Sequence, residues 1–152
     1  MWTRDRSITL SVWCATAMIV LVVLTGVALP LRLRLFAEDV SLSEYLSDRT
    51  MAMVLTVYYC FCVPALAALV STRRILANLR RGVVFDASNV RLLRLISWAA
   101  LAGGLVCVAG APVSLAFLAV GLVCGFVGVV MRVVKNLIAA AVDLKAENDL
   151  TI

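Results

Sequence analysis

Residues 95–131 read LISWAALAGGLVCVAGAPVSLAFLAVGLVCGFVGVVM and contain no charged side chain. As a single helix this run would be about 55 Å long, at about 1.5 Å per residue. The hydrocarbon core of a bilayer is only about 30 Å thick, so the run must fold back on itself. Gly110 and Pro112 mark the break, because Gly tolerates the left-handed conformation at a helix C-terminus and Pro suits the first turn of the next helix.

The composition is that of a membrane protein. Of the 152 residues, 64% are apolar and 15% are charged, whereas soluble domains are about 45–50% apolar and about 25% charged. The charge-free runs 7–31 and 50–72 are each long enough for one span, and the first has too long an apolar region for a cleaved signal peptide. We predict a single all-α domain, an integral membrane four-helix bundle, with spans at about 8–29, 51–70, 95–109 and 113–131.

Lys and Arg are distributed unequally between the two sides that four spans define. Eleven of the 14 lie in the N-terminal segment, in segment 71–94 or in segment 132–152, which share one side; the other three lie between the first two spans. Cytoplasmic segments carry the excess of Lys and Arg. We therefore expect a multi-pass protein of the plasma membrane with both termini cytoplasmic, and we attribute the net charge of +5 to this orientation rather than to direct nucleic-acid binding.

Segment 71–94 is predicted to be a structured cytoplasmic loop. The second span can continue as helix to Gly82, which suits a left-handed C-terminal position. Asp86 is a good N-cap for the next helix, with Phe85 and Val90 at the staple positions. The six arginines of this segment fit three interpretations: binding of anionic lipid, binding of an acidic partner, or simple anchoring of the topology.

Segment 132–152 is predicted to extend the fourth helix into the cytoplasm to about residue 147. Its apolar positions Val134, Leu137, Ile138 and Ala141 follow helical spacing, so one apolar face needs a partner. The partner is either segment 71–94 of the same chain, which we call the arginine-rich loop and which we favour, or another protein. In the outer loop, the pattern from Ser41 to Glu44 predicts a capped helix start that runs into the second span.

The sequence offers little for catalysis. It has no histidine, its nine acidic residues all lie outside the apolar runs, and its five cysteines all lie within predicted spans. Metal sites, proton relays and membrane proteases need histidine or acidic side chains at membrane depth, and cysteines alone do not replace them. We therefore expect no enzyme activity, no catalytic residue, no metal and no cofactor. Gly121 and Gly125 permit close helix approach; we favour packing within the chain over the seam of a homo-oligomer.

Three motifs resemble a bacterial family of small four-span membrane proteins, domain of unknown function 2975, which includes the YoaS-like proteins. The motifs are NLRRGVVF at 78–85, NVRLLR at 89–94 and LKAENDLTI at 144–152. The resemblance implies the four-span topology but no catalytic residues. It also implies that similar proteins are often encoded beside a small helix-turn-helix regulator.

We therefore predict a non-enzymatic regulatory or scaffold protein that docks a cytoplasmic partner, with such a helix-turn-helix regulator as the candidate. Its docking surface is predicted where the arginine-rich loop meets the chain end, at Arg80, Arg81, Phe85, Arg91, Glu147, Asn148 and Asp149. The alternative is a transporter or channel component, or a membrane-stress or immunity protein. A charge-lined pore in an oligomer would favour that alternative.

Overall fold

A computed structural model of the chain describes residues 4–39, 48–82 and 86–149, with side chains for 7–31, 49–82 and 86–147. These residues form four α-helices, and no strand occurs among them. The predicted all-α, four-span fold is thus confirmed. The helices are α1 (Arg4–Asp39), α2 (Asp48–Arg80), α3 (Ala87–Ala109) and α4 (Leu115–Asp149).

The first helix is longer than the sequence predicts. We expected a loop after the first span, but α1 continues through Pro30 to Asp39. Proline removes one backbone hydrogen bond from a helix interior. The residues that follow, LRLRLFAED, are mostly strong helix formers, so the helix continues beyond the proline. The predicted helix start at Ser41 to Glu44 lies outside the described residues.

The connection between α2 and α3 forms as its local signals predict. Gly82 has a φ of +79°, the left-handed conformation expected there, and its N–H donates to the Leu79 carbonyl at 3.1 Å. Asp86 is the N-cap of α3, and its carboxylate accepts from the Ser88 N–H at 3.0 Å. Phe85 lies outside the described residues, so the predicted staple is not tested.

The turn between α3 and α4 differs from its prediction. Gly110 is right-handed, with φ −80° and ψ −5°; a Cβ there would lie 3.0 Å from Val57 Cγ1. Gly110 thus allows a close approach to α2 and does not form a left-handed cap. Pro112 lies in the turn, and α4 begins only at Leu115, because the Ser114 hydroxyl accepts the Ala116 N–H at 3.3 Å as a cap would.

The helices pack in chain order: α1 on α2, α2 on α3, and α3 on α4. Within the described residues, no other pair of helices makes contact. Polar side chains join neighbouring helices inside the apolar region. Thr25 and Tyr58 hydrogen-bond at 2.6 Å and Tyr59 donates to the Gly26 carbonyl at 2.8 Å, while buried Ser97 donates to the Gly128 carbonyl at 2.8 Å.

Only one glycine of the predicted Gly121–Gly125 pair needs to lack a side chain. A Cβ at Gly121 would lie 2.8 Å from Val108 Cγ2 and 2.9 Å from the Gly104 carbonyl oxygen. A Cβ at Gly125 would meet nothing within 4 Å. Gly121 therefore serves packing within the chain, as we favoured, whereas the space beside Gly125 is open.

Basic residues lie at one level across three helices. Asn78 of α2 lies opposite Asn89 of α3. Arg73 lies five residues before Asn78 and Arg94 lies five residues after Asn89, so these two arginines are at the same level of neighbouring helices. Ser97 lies opposite Gly128, which brings Arg132 of α4 to the same level. From Arg132 back to Leu115, α4 rises about 26 Å, close to the thickness of a hydrocarbon core. We call the side that carries these residues the arginine-rich end.

The outer surface of the four packed helices is apolar. Trp13, Val63 and Leu105 are each 72% exposed. Large exposed apolar patches are rare on soluble monomers, but a lipid-facing surface has this composition because the acyl chains cover it. The four helices are thus arranged as expected for a chain whose outer surface contacts lipid.

Candidate functional site

The structure places the predicted docking residues on three helix ends. Arg80 ends α2, Arg81 follows it in the turn, and Arg91 lies in the second turn of α3; all three are exposed. Glu147 is exposed near the end of α4. Asn148 and Asp149 are the last helical residues of α4, but their side chains lie outside the described residues. Phe85 lies outside the described residues altogether.

Two of these residues come together. Arg81 and Arg91 line one open cavity of about 540 Å³ at the arginine-rich end, between the end of α2 and the start of α3. We call it the α2–α3 cavity. Its lining residues are Arg74, Ala77, Asn78, Arg81, Ser88, Arg91 and Leu92. Three arginines and no acidic residue line it among the described side chains, so its lining is complementary to a negatively charged group.

The end of α4 is not brought to this cavity. Helix α3 lies between α2 and α4, which do not pack on each other within the described residues. Because Ser97 lies opposite Gly128, Arg91 lies opposite position 134, and Glu147 is about 20 Å further along the axis. That separation is too long for Arg91 and Glu147, two residues of the predicted docking surface, to form an ion pair. The docking role of the chain end remains a prediction.

An amide pair between α2 and α3 fixes the wall of the cavity. The Asn78 Nδ2 group donates to Asn89 Oδ1 at 2.8 Å, and Asn89 is only 2% exposed. This bond joins the last turns of α2 to the first turn of α3 across the connection. We did not predict it from the sequence, although an asparagine on the otherwise apolar face of Leu93 and Ile96 was an available signal.

Electrostatics at the start of α3 favour an ionised cap. The pKa of the Asp86 carboxyl lies below its ordinary value, first because the Ser88 hydroxyl donates to it and then because the Ser88 N–H does. The positive charge of Arg91 lowers that pKa further. Asp86 is therefore anionic at neutral pH and holds the first turn of α3, from which Ser88 and Arg91 reach the cavity.

A second basic cluster lies at the same end, on the seam of α3 and α4. The Arg132 guanidinium carbon lies 4.8 Å from the centre of the Trp98 ring, in a cation–π contact. Together with Arg94, Ser97 and Lys135 these residues line a cavity of about 310 Å³, which we call the α3–α4 cavity. The sequence places Arg132 at a membrane boundary, but we did not predict a role for Trp98, which follows Arg94 by one helical turn.

The cysteines form no cluster with other ligands. All five are free thiols within the helices. Among the described residues, no group of three His, Cys, Asp or Glu side chains is arranged to hold a metal ion.

Four helices, each long and apolar enough to cross a bilayer, and basic residues at one level define a multi-pass membrane protein. A family profile described as "Protein of unknown function (DUF2975)" matches residues 35–152, well over half of the chain. The chain belongs to this family. The match covers α2, α3 and α4 and begins near the end of α1. Comparisons with curated proteins and with solved structures found no match.

Proposed function

We propose that this protein is a non-enzymatic scaffold of the plasma membrane that holds an acidic cytoplasmic protein at its arginine-rich end. Both termini lie in the cytoplasm in this proposal, which is supported by the excess of Lys and Arg on that side of the chain. The family resemblance makes a small helix-turn-helix regulator the candidate partner.

The α2–α3 cavity is the observation that carries the proposal. Arg74, Arg81 and Arg91 converge on it from two helices. The Asn78–Asn89 bond and the Asp86 cap fix the two helix ends that form its walls. A site held in place before binding loses less entropy on association, and arginine pairs well with carboxylates. The cavity is therefore suited to an acidic segment of a protein.

The projecting part of α4 supports a protein partner as well. Helix α4 continues for about 26 Å beyond Arg132. On this projection Leu137 is 66% exposed and Leu144 is 63% exposed, and their separation of seven residues places them on one face. We had favoured the arginine-rich loop, segment 71–94, as the cover of this helix. Only the part of that segment that belongs to α3 packs on α4, and α3 begins opposite about position 138, so Leu144 projects beyond it. An apolar face beyond the headgroups is suited to a second protein.

Site-specific crosslinking in intact membranes tests the proposal. A photoreactive residue replaces Ser88, and the full chain is compared with the double variant Arg81→Gln/Arg91→Gln. Arg49→Gln with Arg73→Gln is the matched control, because both are exposed and lie outside the cavity lining and the predicted docking surface. We expect a helix-turn-helix protein to be crosslinked by the parent and the control but not by the cavity variant. Equal crosslinking by all three would contradict the proposal.

A chain that lacks residues 147–152 tests the predicted role of the chain end. Loss of the same crosslinked protein would keep Glu147, Asn148 and Asp149 in the docking surface, and an unchanged product would remove them from it. Reporter fusions after Ile152 and within 38–48 test the orientation. A C-terminal reporter that is active only outside the cell would overturn the topology. An ion conductance that depends on Arg81 would favour the transporter or channel alternative.

A further inference from the structure

The α3–α4 cavity differs from the proposed docking surface in both residues and position. Its three basic residues come from facing helices: Arg94 from α3, and Arg132 and Lys135 from α4. Among the described side chains that line it, none is acidic. Three like charges that share one cavity repel one another, so an anion bound between them would be attracted by all three.

Trp98 fixes one of these charges. Its ring lies 4.8 Å from the Arg132 guanidinium carbon, a distance at which the ring face attracts the cation. The indole is itself 58% exposed, and tryptophan is enriched where a protein crosses the headgroup region of a bilayer. Trp98 thus marks the depth of the cavity and restricts the directions in which Arg132 can point.

The cavity lies at the boundary of the membrane. Arg94 is level with Arg73 of α2 through the Asn78–Asn89 register, and Arg132 is level with both. From this level, α4 rises about 26 Å to Leu115, which is close to one hydrocarbon thickness. An anion in this cavity would therefore lie at headgroup depth.

Apolar surface continues from the cavity along the same seam. On α3, Leu105 lies seven residues after Trp98. On α4, Val129 and Leu122 lie three and ten residues before Arg132. Helical periodicity therefore places each of them near the face of its helix that borders the cavity. Leu105 is 72%, Leu122 64% and Val129 56% exposed. Between them, the space beside Gly125 is open. An acyl chain that rises from the cavity would contact this strip.

We propose that the α3–α4 cavity binds the phosphodiester headgroup of an anionic glycerophospholipid. Arg94, Arg132 and Lys135 are the phosphate ligands, Trp98 is a positioning residue for Arg132, and the strip beside Gly125 receives an acyl chain. The depth of the cavity and its apolar continuation favour a lipid over a soluble phosphate. Basic pockets between spanning helices on the cytoplasmic side bind such headgroups. The proposal does not depend on the docking of a protein at the α2–α3 cavity.

Native mass spectrometry of the full chain tests this assignment. The protein is released from nanodiscs of phosphatidylcholine with a minor fraction of phosphatidylglycerol, and the retained lipids are counted. Arg132→Gln/Lys135→Gln should retain at least about tenfold less phosphatidylglycerol, since each basic group near an anionic headgroup contributes on the order of 1 kcal/mol. The control Arg81→Gln/Arg91→Gln removes the same charge from the other cavity and should retain lipid as the parent does. Equal retention by the two double variants would overturn the proposal.

Two further comparisons test the role of Trp98 and distinguish a bound lipid from a soluble anion. Trp98→Leu should weaken retention and Trp98→Phe should restore part of it, because an aromatic face is kept; equal loss in both would contradict the positioning role. Excess inorganic phosphate should leave the retained phosphatidylglycerol unchanged, and its displacement would show a soluble-anion site instead. Lys135→Gln alone, at a partly exposed position, keeps the test valid if the double variant does not fold, because it should still lower retention.

Discussion

Gly104 and Gly121 approach so closely that a Cβ on either residue would lie 2.9 Å from the carbonyl oxygen of the other. The contact is reciprocal and involves backbone atoms, so a rotamer change cannot relieve it. It explains how α3 and α4 come near enough for Ser97 to donate to the Gly128 carbonyl at 2.8 Å. The seam that supports the α3–α4 cavity thus depends on glycine at these two positions.

Alanine substitutions distinguish the glycines of this seam. Gly121→Ala should lower the free energy of unfolding by about 1–3 kcal/mol, because overpacking forces the helices apart. Gly125→Ala should leave it unchanged or raise it, since a Cβ there meets nothing within 4 Å and alanine is the better helix former. Thermal unfolding in detergent measures both. An equal loss in the two variants would show that Gly125 is also packed, in an oligomer.

The Asn78–Asn89 bond should contribute measurably to stability. Asn89→Leu removes the acceptor of this bond, and because Asn78 is partly exposed we expect the loss of one typical hydrogen bond, about 0.5–1.5 kcal/mol. The control Asn136→Leu changes an exposed asparagine on α4 and should have little effect. Thermal unfolding of both variants provides the comparison. If the two melt alike, the amide pair does not hold α2 to α3.

Features determined by neighbouring residues could be predicted from the sequence. The left-handed Gly82 and the Asp86 cap both depend on the few residues around them, and both occur. Hydrophobic runs likewise predicted the four helices, because span length depends only on the number of consecutive apolar residues. The longer α1 was missed because the end of an apolar run marks the end of a span, whereas the helix itself continues through the charged residues that follow.

Features that depend on contacts between helices could not be predicted. Gly110 is required by Val57 of α2, and Trp98 meets Arg132 from 34 positions away. The expected meeting of Arg91 with Glu147 required the helix ends to lie level, but α4 projects well beyond the start of α3. Chain order alone does not give the packing order or the relative height of helices, which depend on small residues such as Gly104 and Gly121.

Acidification should weaken the start of α3 through Asp86. Its pKa is lower in the folded protein than in the unfolded chain, so its stabilising effect is fully present above the unfolded value of about 3.9 and is lost as the pH falls through the lower folded value. Hydrogen exchange of the Ser88 and Asn89 amides, corrected for the intrinsic exchange rate, should show protection falling in that window. Asp86→Asn keeps a good N-cap but should remove the pH dependence. The same dependence in that variant would assign it to another group.

The attachment of α1 to α2 should depend on the bond between Thr25 and Tyr58. The hydroxyls of Thr25 and Tyr58 lie 2.6 Å apart, and either can be the donor. Thr25→Val preserves the shape of the side chain and removes one partner of this bond. Thr56→Val is the matched control, because Thr56 donates only to the Ala52 carbonyl of its own helix in the described structure.

Hydrogen bonds between spanning helices contribute about 0.6 kcal/mol on average, so Thr25→Val should destabilise the α1–α2 pair by roughly that amount more than Thr56→Val does. Thermal unfolding of the two variants in detergent measures this difference. Equal melting of the two variants would show that the bond between Thr25 and Tyr58 does not hold α1 to α2.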